Sequence, residues 1–192
     1  IMNRVNQMQE IHREAIERDI VNCDADNVID WNNPIKSLEA IIDLGVKLKN
    51  LLIVTSEFVT IQSRYEVREI LFDIHNITIL AYGILDNFTN NDNPAEYIKT
   101  RPEKILELIE RVHGETLEIF KKKNSDYGDA FATYGTIGVI VRIGDKIMRI
   151  KSLSSNKSSI NQIENKVMDE SIKDTLYDLI NYAAMALMLM IE

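Results

Sequence analysis

The chain has 192 residues, of which 45% are apolar and 27% charged, with a formal net charge of −8. This suits one domain, or a small domain with an appendage, with enough apolar material for a sizeable core. The acidic balance argues against binding a nucleic-acid backbone, though not against a small anion that arrives with its own metal ion, and the lone Cys23 excludes an intramolecular disulfide.

Taken in chain order, the hydrophobic spacing predicts helices throughout, with no convincing alternation for a strand. Met2–Ile20 carries Val5, Met8, Ile11, Ala15 and Ile16 at helical spacing. WNNP (Trp31–Pro34) is a break, and a long helix begins near Ser37 with Leu38, Ile41, Ile42, Gly45, Leu48 and Leu52 on one side. Tyr65–Phe88 repeats the pattern, and NNDNP (Asn90–Pro94) is a turn-rich linker. That linker divides an N-terminal helical region, 1–95, from a C-terminal helical domain, 96–192. TRPE then predicts a helix start with Thr100 as N-cap and Glu103 completing a capping box. The helix runs to about Lys123 with Ile105, Leu108, Ile109, Val112, Thr116, Ile119 and Phe120 inward. KKNSDYGDAFATYG interrupts it, a helix follows from Thr136 to about Ser152, and SLSSNKSSINQIEN reads as a mobile connection. The last helix starts near Lys166 and reaches the C-terminus.

That last helix carries an acidic stripe. Glu170, Asp174, Asp178 and Asn181 share one face, while Ile172, Leu176, Leu179, Ile180 and Ala183 form a wide apolar surface. Two readings stand. The acids are a solvated helix face, or they are a cation site inside a bundle, where carboxylates ~6 Å apart would repel by roughly 3 kcal/mol per pair without an ion. Met185, Met188 and Leu189 continue the same face, and oxygen-only ligands suit Mg²⁺. The preceding helix, GTIGVIVRIGDKIMRI, is apolar around most of its circumference, with one narrow polar strip of Arg142, Asp145 and Arg149. Asp145 is either a salt-bridge element between two arginines or a member of a metal cage. Two polar strips on two apolar helices imply a shared polar interior, and these helices are expected to pack antiparallel. Leu179–Ile191 contains Asn181 and is too short to cross a bilayer, so it reads as a core or subunit-interface helix. No charged stretch leading into an apolar core opens the chain, so no secretory leader is expected.

FKKKNSDYGDAF closes a helix and opens a turn. Its lysines either compensate a helix dipole or bind an anion. In the binding reading Lys123 meets a phosphate, Asn124 and Asp126 bond ribose or base, and Tyr127 stacks. There is no Gly-rich phosphate loop, no HExxH and no Cys/His metal spacing. His12, His75 and His113 are isolated in sequence, and imidazole chemistry is not expected to lead.

The pair VRIGDKIMRI and DESIKDTLYDLINYA resembles the MazG-like, all-α nucleoside-triphosphate pyrophosphohydrolases, which hold Mg²⁺ with an E-x-x-E and an E-x-x-D motif. Asp145 matches the second acid of the first motif, and Glu170 and Asp174 match the second motif. Arg142 stands where the first acid is expected, and the Glu170–Asp174 spacing is one residue longer; Asp178 or Glu115 would replace the missing ligand. A closer resemblance is to nucleotide-modification-associated domain 1, a phage and bacterial family. FKKKNSDYGDAF, GVIVRIGDKIMRI and ESIKDTLYDLINYA carry it, in that order, over roughly Glu103 to Leu189. Residues 1–95 lie outside it and receive no activity.

The resemblance implies an all-α helical bundle, MazG-like in its C-terminal part with additional N-terminal helices. It implies a Mg²⁺-dependent (deoxy)nucleoside triphosphate pyrophosphohydrolase of viral or bacterial nucleotide metabolism. Asp145, Glu170 and Asp174 would hold the ion, with Glu115 as a further ligand and Asp178 as a ligand or base. Arg142, Lys146 and Arg149 would offset phosphate charge, and Asn181 and Tyr182 would line the base or sugar side. The expected setting is cytoplasmic (host cytoplasm if viral), as a homodimer or homotetramer, without membrane or nucleic-acid partners. The rival is a non-catalytic helical nucleotide-binding or protein-interaction module, favoured by Arg142 in place of an acid.

Overall fold

A computed structural model describes residues 3–18, 29–54, 61–155 and 166–191, with side chains described for all of these except 52–54, 61–63, 166–171 and 191. The architecture is an all-α bundle. Its helices are α1 (Arg4–Glu17), α2 (Pro34–Val54), α3 (Ile61–Leu85), α4 (Pro94–Thr100), α5 (Glu103–Tyr127), α6 (Gly135–Ser155) and α7 (Lys166–Ile191). A short 3-10 turn, Ala130–Ala132, links α5 to α6. The predicted mobile connection lies mostly outside the described residues.

The apolar spacings became one core. Met8 and Ile11 of α1, Ile41 and Leu48 of α2, and Leu71 and Ile74 of α3 are buried together with Leu108 and Val112 of α5, Ile143 of α6 and Leu176 of α7. Helices on both sides of residue 95 therefore contribute to the same interior. Helix α7 runs through it, packing against α1, α3, α5 and α6. Helices α6 and α7 are antiparallel, as expected: Lys146 meets Asp178, while Tyr134 and Thr136 line one small cavity with Met190. Arg64 donates to the Met190 carbonyl and Lys173 to Asp86, so α3 and α7 are antiparallel too.

Three expectations need correction. Thr100 is not the cap of α5. It is the last residue of α4, a helix that the linker reading missed, and its hydroxyl donates back to the carbonyls of Glu96 and Tyr97. Asn93 caps α4 by accepting from the Glu96 N–H, with Pro94 preset for a first helical turn. Thr100 thus prefers a local back-bond to a cap. Second, α5 does not stop at Lys123. It continues for another turn to Tyr127 and ends at Gly128, whose φ of 57° with ψ of −143° is a backbone conformation that glycine alone adopts readily. Third, the polar strips of α6 and α7 do not share an interior through Arg142, Asp145 and Asp174, because all three are exposed.

Of the two roles expected for the C-terminal helix, core or subunit interface, its buried residues take the first. Its apolar circumference is covered within the chain: Ala183 to Met188 are all buried. The N-terminal helices supply the cover, since α1 and α3 lie against it. What remains apolar and exposed is elsewhere. Val46 of α2 and Ile137, Val141 and Met148 of α6 are each more than half exposed. No helix among the described residues is long and apolar enough to cross a membrane.

Candidate functional site

The sequence pointed to the α5 end, α6 and α7, and the structure joins these at one carboxylate. Asp178 sits halfway along α7 with its side chain mostly covered, and Lys123 Nζ donates to one oxygen at 2.8 Å. Lys146 Nζ donates to the other at 2.7 Å. Burial opposes ionisation of Asp178, but the hydrogen bonds and charges of Lys123 and Lys146 outweigh it and hold the carboxyl below its usual range. Two ammonium groups on one carboxylate leave a net positive centre in an acidic protein. Helix α6 extends it, because Arg142, Lys146 and Arg149 follow the i, i+4, i+7 spacing of one helix face. Such a basic stripe can receive phosphate oxygens.

The other expected residues distribute around this centre. Asn124, next to Lys123, has its Oδ1 buried without a hydrogen-bond partner, and so has Asn181, one turn beyond Asp178. Tyr182 is partly buried, while Asp126 and Tyr127 are exposed at the end of α5. Asp145 is exposed and lies 3.9 Å from the Arg142 guanidinium. Asp174 is exposed, and Glu170 lies on α7 with its side chain outside the described residues. Glu115 belongs to a separate network: it accepts from the Tyr177 hydroxyl and faces Arg111 at 3.9 Å. Burial, then the hydrogen bond to Glu115, raises the Tyr177 hydroxyl far above its ordinary value. Arg111 and Lys173 in turn both donate to Asp86, so α3, α5 and α7 are tied by charge at this point.

The described carboxylates do not fit a ready-made Mg²⁺ cage. Among the described residues, no three of Asp145, Asp174, Asp178 and Glu115 bring their oxygens together. Asp178 is neutralised by two lysines, and Glu115 is held by Tyr177.

The grouping that does form is one the sequence reading set aside. His12 of α1, His75 of α3 and His113 of α5 are buried together. The His12 and His113 rings stack with centroids 4.0 Å apart and planes within 8°. His75 is tilted by 40° to both, at 5.7 and 5.2 Å. Burial holds His12 down to about 3, helped by the neighbouring His75, and holds His75 down to about 4 against the pull of its bond to Asn76. Burial and both neighbours lower His113 further. A signal for this cluster was present: His12 falls beside Ile11 and Ala15, His75 beside Ile74, and His113 beside Val112, all on inward faces. Which inward faces meet is not readable from spacing.

No curated protein and no solved structure matches the chain, and the resemblance to MazG-like enzymes is not shown by these comparisons. Over roughly a third of the chain, beginning at Lys123 of the lysine–aspartate centre and ending at Met190 of α7, a family model does match. Residues 123–190 are similar to nucleotide modification associated domain 1, the family that the three sequence blocks resemble.

Proposed function

We propose that the α5 end, α6 and α7 handle a nucleotide, and that the chain is a Mg²⁺-dependent pyrophosphohydrolase of (deoxy)nucleoside triphosphates. One observation carries the reading: Lys123, Lys146 and Asp178 come from three helical segments of the family match and meet in a net positive centre, in a chain of charge −8. Phosphate oxygens would be received by Lys146, Lys123, Arg142 and Arg149. Asn181 and Asn124, each with a buried unpartnered oxygen, offer acceptors for a sugar hydroxyl or a base N–H. In the reaction, water adds to phosphorus and pyrophosphate leaves, giving a monophosphate. The cationic side chains stabilise the charge that grows on the leaving phosphates. Asp145, Glu170 and Asp174 are the acids that would hold Mg²⁺, whose chemistry is to polarise phosphate oxygens. Because the described acids build no cage by themselves, Mg²⁺ would be supplied together with the triphosphate.

A non-catalytic nucleotide-binding module is the second reading, favoured by the exposure of Asp145 and Asp174. Pyrophosphate release from a panel of (d)NTPs with Mg²⁺, beside equilibrium binding of the same nucleotides, separates the two. Turnover that disappears in Asp174→Ala, with the fold intact, supports the enzyme. Binding without turnover supports the module. Neither binding nor turnover of any nucleotide overturns both.

Self-association as a homodimer or homotetramer belongs to the same reading, with the exposed apolar strip of α2 and α6 as the surface available for it.

A further inference from the structure

We propose that His12, His75 and His113 bind one divalent transition-metal ion of the Zn²⁺ class, tying α1, α3 and α5 together at a site outside the family-matched segment. These are all the histidines the chain has. They come from three helices and converge in the core, with one ring nitrogen of each within 4.8 Å of the others. Imidazole nitrogens are the common ligands of Zn²⁺ and its neighbours, and three of them make a recognised donor set. Mg²⁺ is not the ion for this site, because it takes oxygen ligands.

The polar bookkeeping points the same way. The Nε2 atoms of His12, His75 and His113 are each buried without a hydrogen-bond partner. A core imidazole ordinarily satisfies both nitrogens, and three unsatisfied ones in contact are difficult to explain as packing alone. An ion would satisfy all three at once. His75 also has the outer support that a metal-bound imidazole usually has. Its Nδ1 lies 3.0 Å from Asn76 Oδ1, so donating there leaves the Nε2 lone pair available. Asn76 Nδ2 donates in turn to the Ala15 carbonyl on α1, at 3.4 Å, which fixes the amide orientation. The low basicity of the three rings keeps them unprotonated at neutral pH, the form a metal needs.

The geometry needs a small adjustment. Two nitrogens on one tetrahedral Zn²⁺, each ~2.0–2.1 Å from it, sit roughly 3.3 Å apart. The upper separation of 4.8 Å must close by about an ångström and a half. The movement this proposal requires is rotation of the imidazoles that unstacks His12 from His113. Three protein ligands leave one coordination position, which water can take.

The test uses the untagged full chain. Co²⁺, which replaces Zn²⁺ and reports its geometry in the visible spectrum, is titrated into metal-free protein, and Zn²⁺ competition and metal content are read in parallel. The expected result is one Co²⁺ per chain with tetrahedral or five-coordinate absorption, displaced by one equivalent of Zn²⁺. His12→Gln, His75→Gln and His113→Gln should each weaken Zn²⁺ by more than the roughly 10–100-fold that losing an outer partner costs. Should a variant fail to fold, the Co²⁺ form of the wild type still decides, because its hyperfine-shifted imidazole N–H resonances can come only from these three residues. Absence of Co²⁺ and Zn²⁺ binding at micromolar protein, binding without imidazole resonances, or binding unchanged in the three variants overturns the proposal.

Discussion

Lys146 of α6 donates to Asp178 of α7 at 2.7 Å, and this bond sets the register between the two helices at the centre of the family-matched segment. Both side chains are mostly covered, whereas Lys123 on the other oxygen is half exposed. Lys146 is therefore the stronger anchor. Lys146→Ala should cost about 1 kcal/mol in urea unfolding, after allowance for the solvent that still reaches the pair. Lys123→Ala should cost less, roughly 0.2–1 kcal/mol. The same two variants should weaken nucleotide binding in the same order.

Asp178 also has a pH signature. Its carboxyl is held below the usual range in the folded chain, so its contribution is present above the unfolded value of about 3.9 and is lost as pH falls through the folded value. The stability difference between wild type and Asp178→Asn should be constant near neutrality and shrink in strong acid. A difference that instead grows below pH ~4 would show that Asp178 is not held ionised by its lysines.

The histidines produce a separate window at higher pH. In the metal-free protein, folding depresses His12 to about 3 and His75 to about 4 from an ordinary value of 6.5. The unfolded chain therefore binds protons that the folded chain refuses. Stability is complete above about pH 6.5 and falls as pH drops toward 4, by up to about 1.4 kcal/mol per pH unit for each imidazole. The other influences on these rings are their own mutual repulsion and the Asn76 bond, with no acid among the groups that shift them. Denaturant midpoints measured from pH 7.5 to 4.5 check this; a flat profile would mean that the rings are not held neutral.

Gly83 sets how closely α3 approaches α5. A Cβ built at this position would lie 2.3 Å from Leu108 Cδ2, and Leu108 is fully buried. Gly83→Ala should therefore destabilise the fold by about 1–3 kcal/mol, despite the higher helix propensity of alanine. A thermal midpoint equal to or above that of wild type would contradict the close packing of the two helices that carry His75 and His113.

The two apolar surfaces of α6 and α7 should respond differently to charge. Met188 is completely buried, so Met188→Glu should unfold the chain instead of dissociating an oligomer. Val141→Glu with Met148→Glu should leave the fold standing, because both side chains are more than half exposed. Light scattering of the double variant should report a smaller mass than wild type. Equal masses would place any subunit contact elsewhere.

The long helices were legible because their core positions follow 3.6-residue spacing, and the inward faces predicted for α1 and α5 are the ones that the bundle buries or half-buries, whereas the short α4 was not legible. The family was legible because its three blocks contain turn residues and charges at fixed offsets, independent of what they touch. Contact partners were decided by tertiary structure. Spacing places Asp178 on a stripe with Glu170 and Asp174, yet only the approach of α5 and α6 gives it two lysines and separates it chemically from its neighbours. Spacing likewise makes the Ala183–Ile191 end of α7 apolar on nearly every side, but cannot say whether a second chain or α1 and α3 will cover it. His12, His75 and His113 show the limit most clearly. Each is one polar atom set on an apolar helical face, and their meeting depends on how α1, α3 and α5 cross, which long-range packing alone determines.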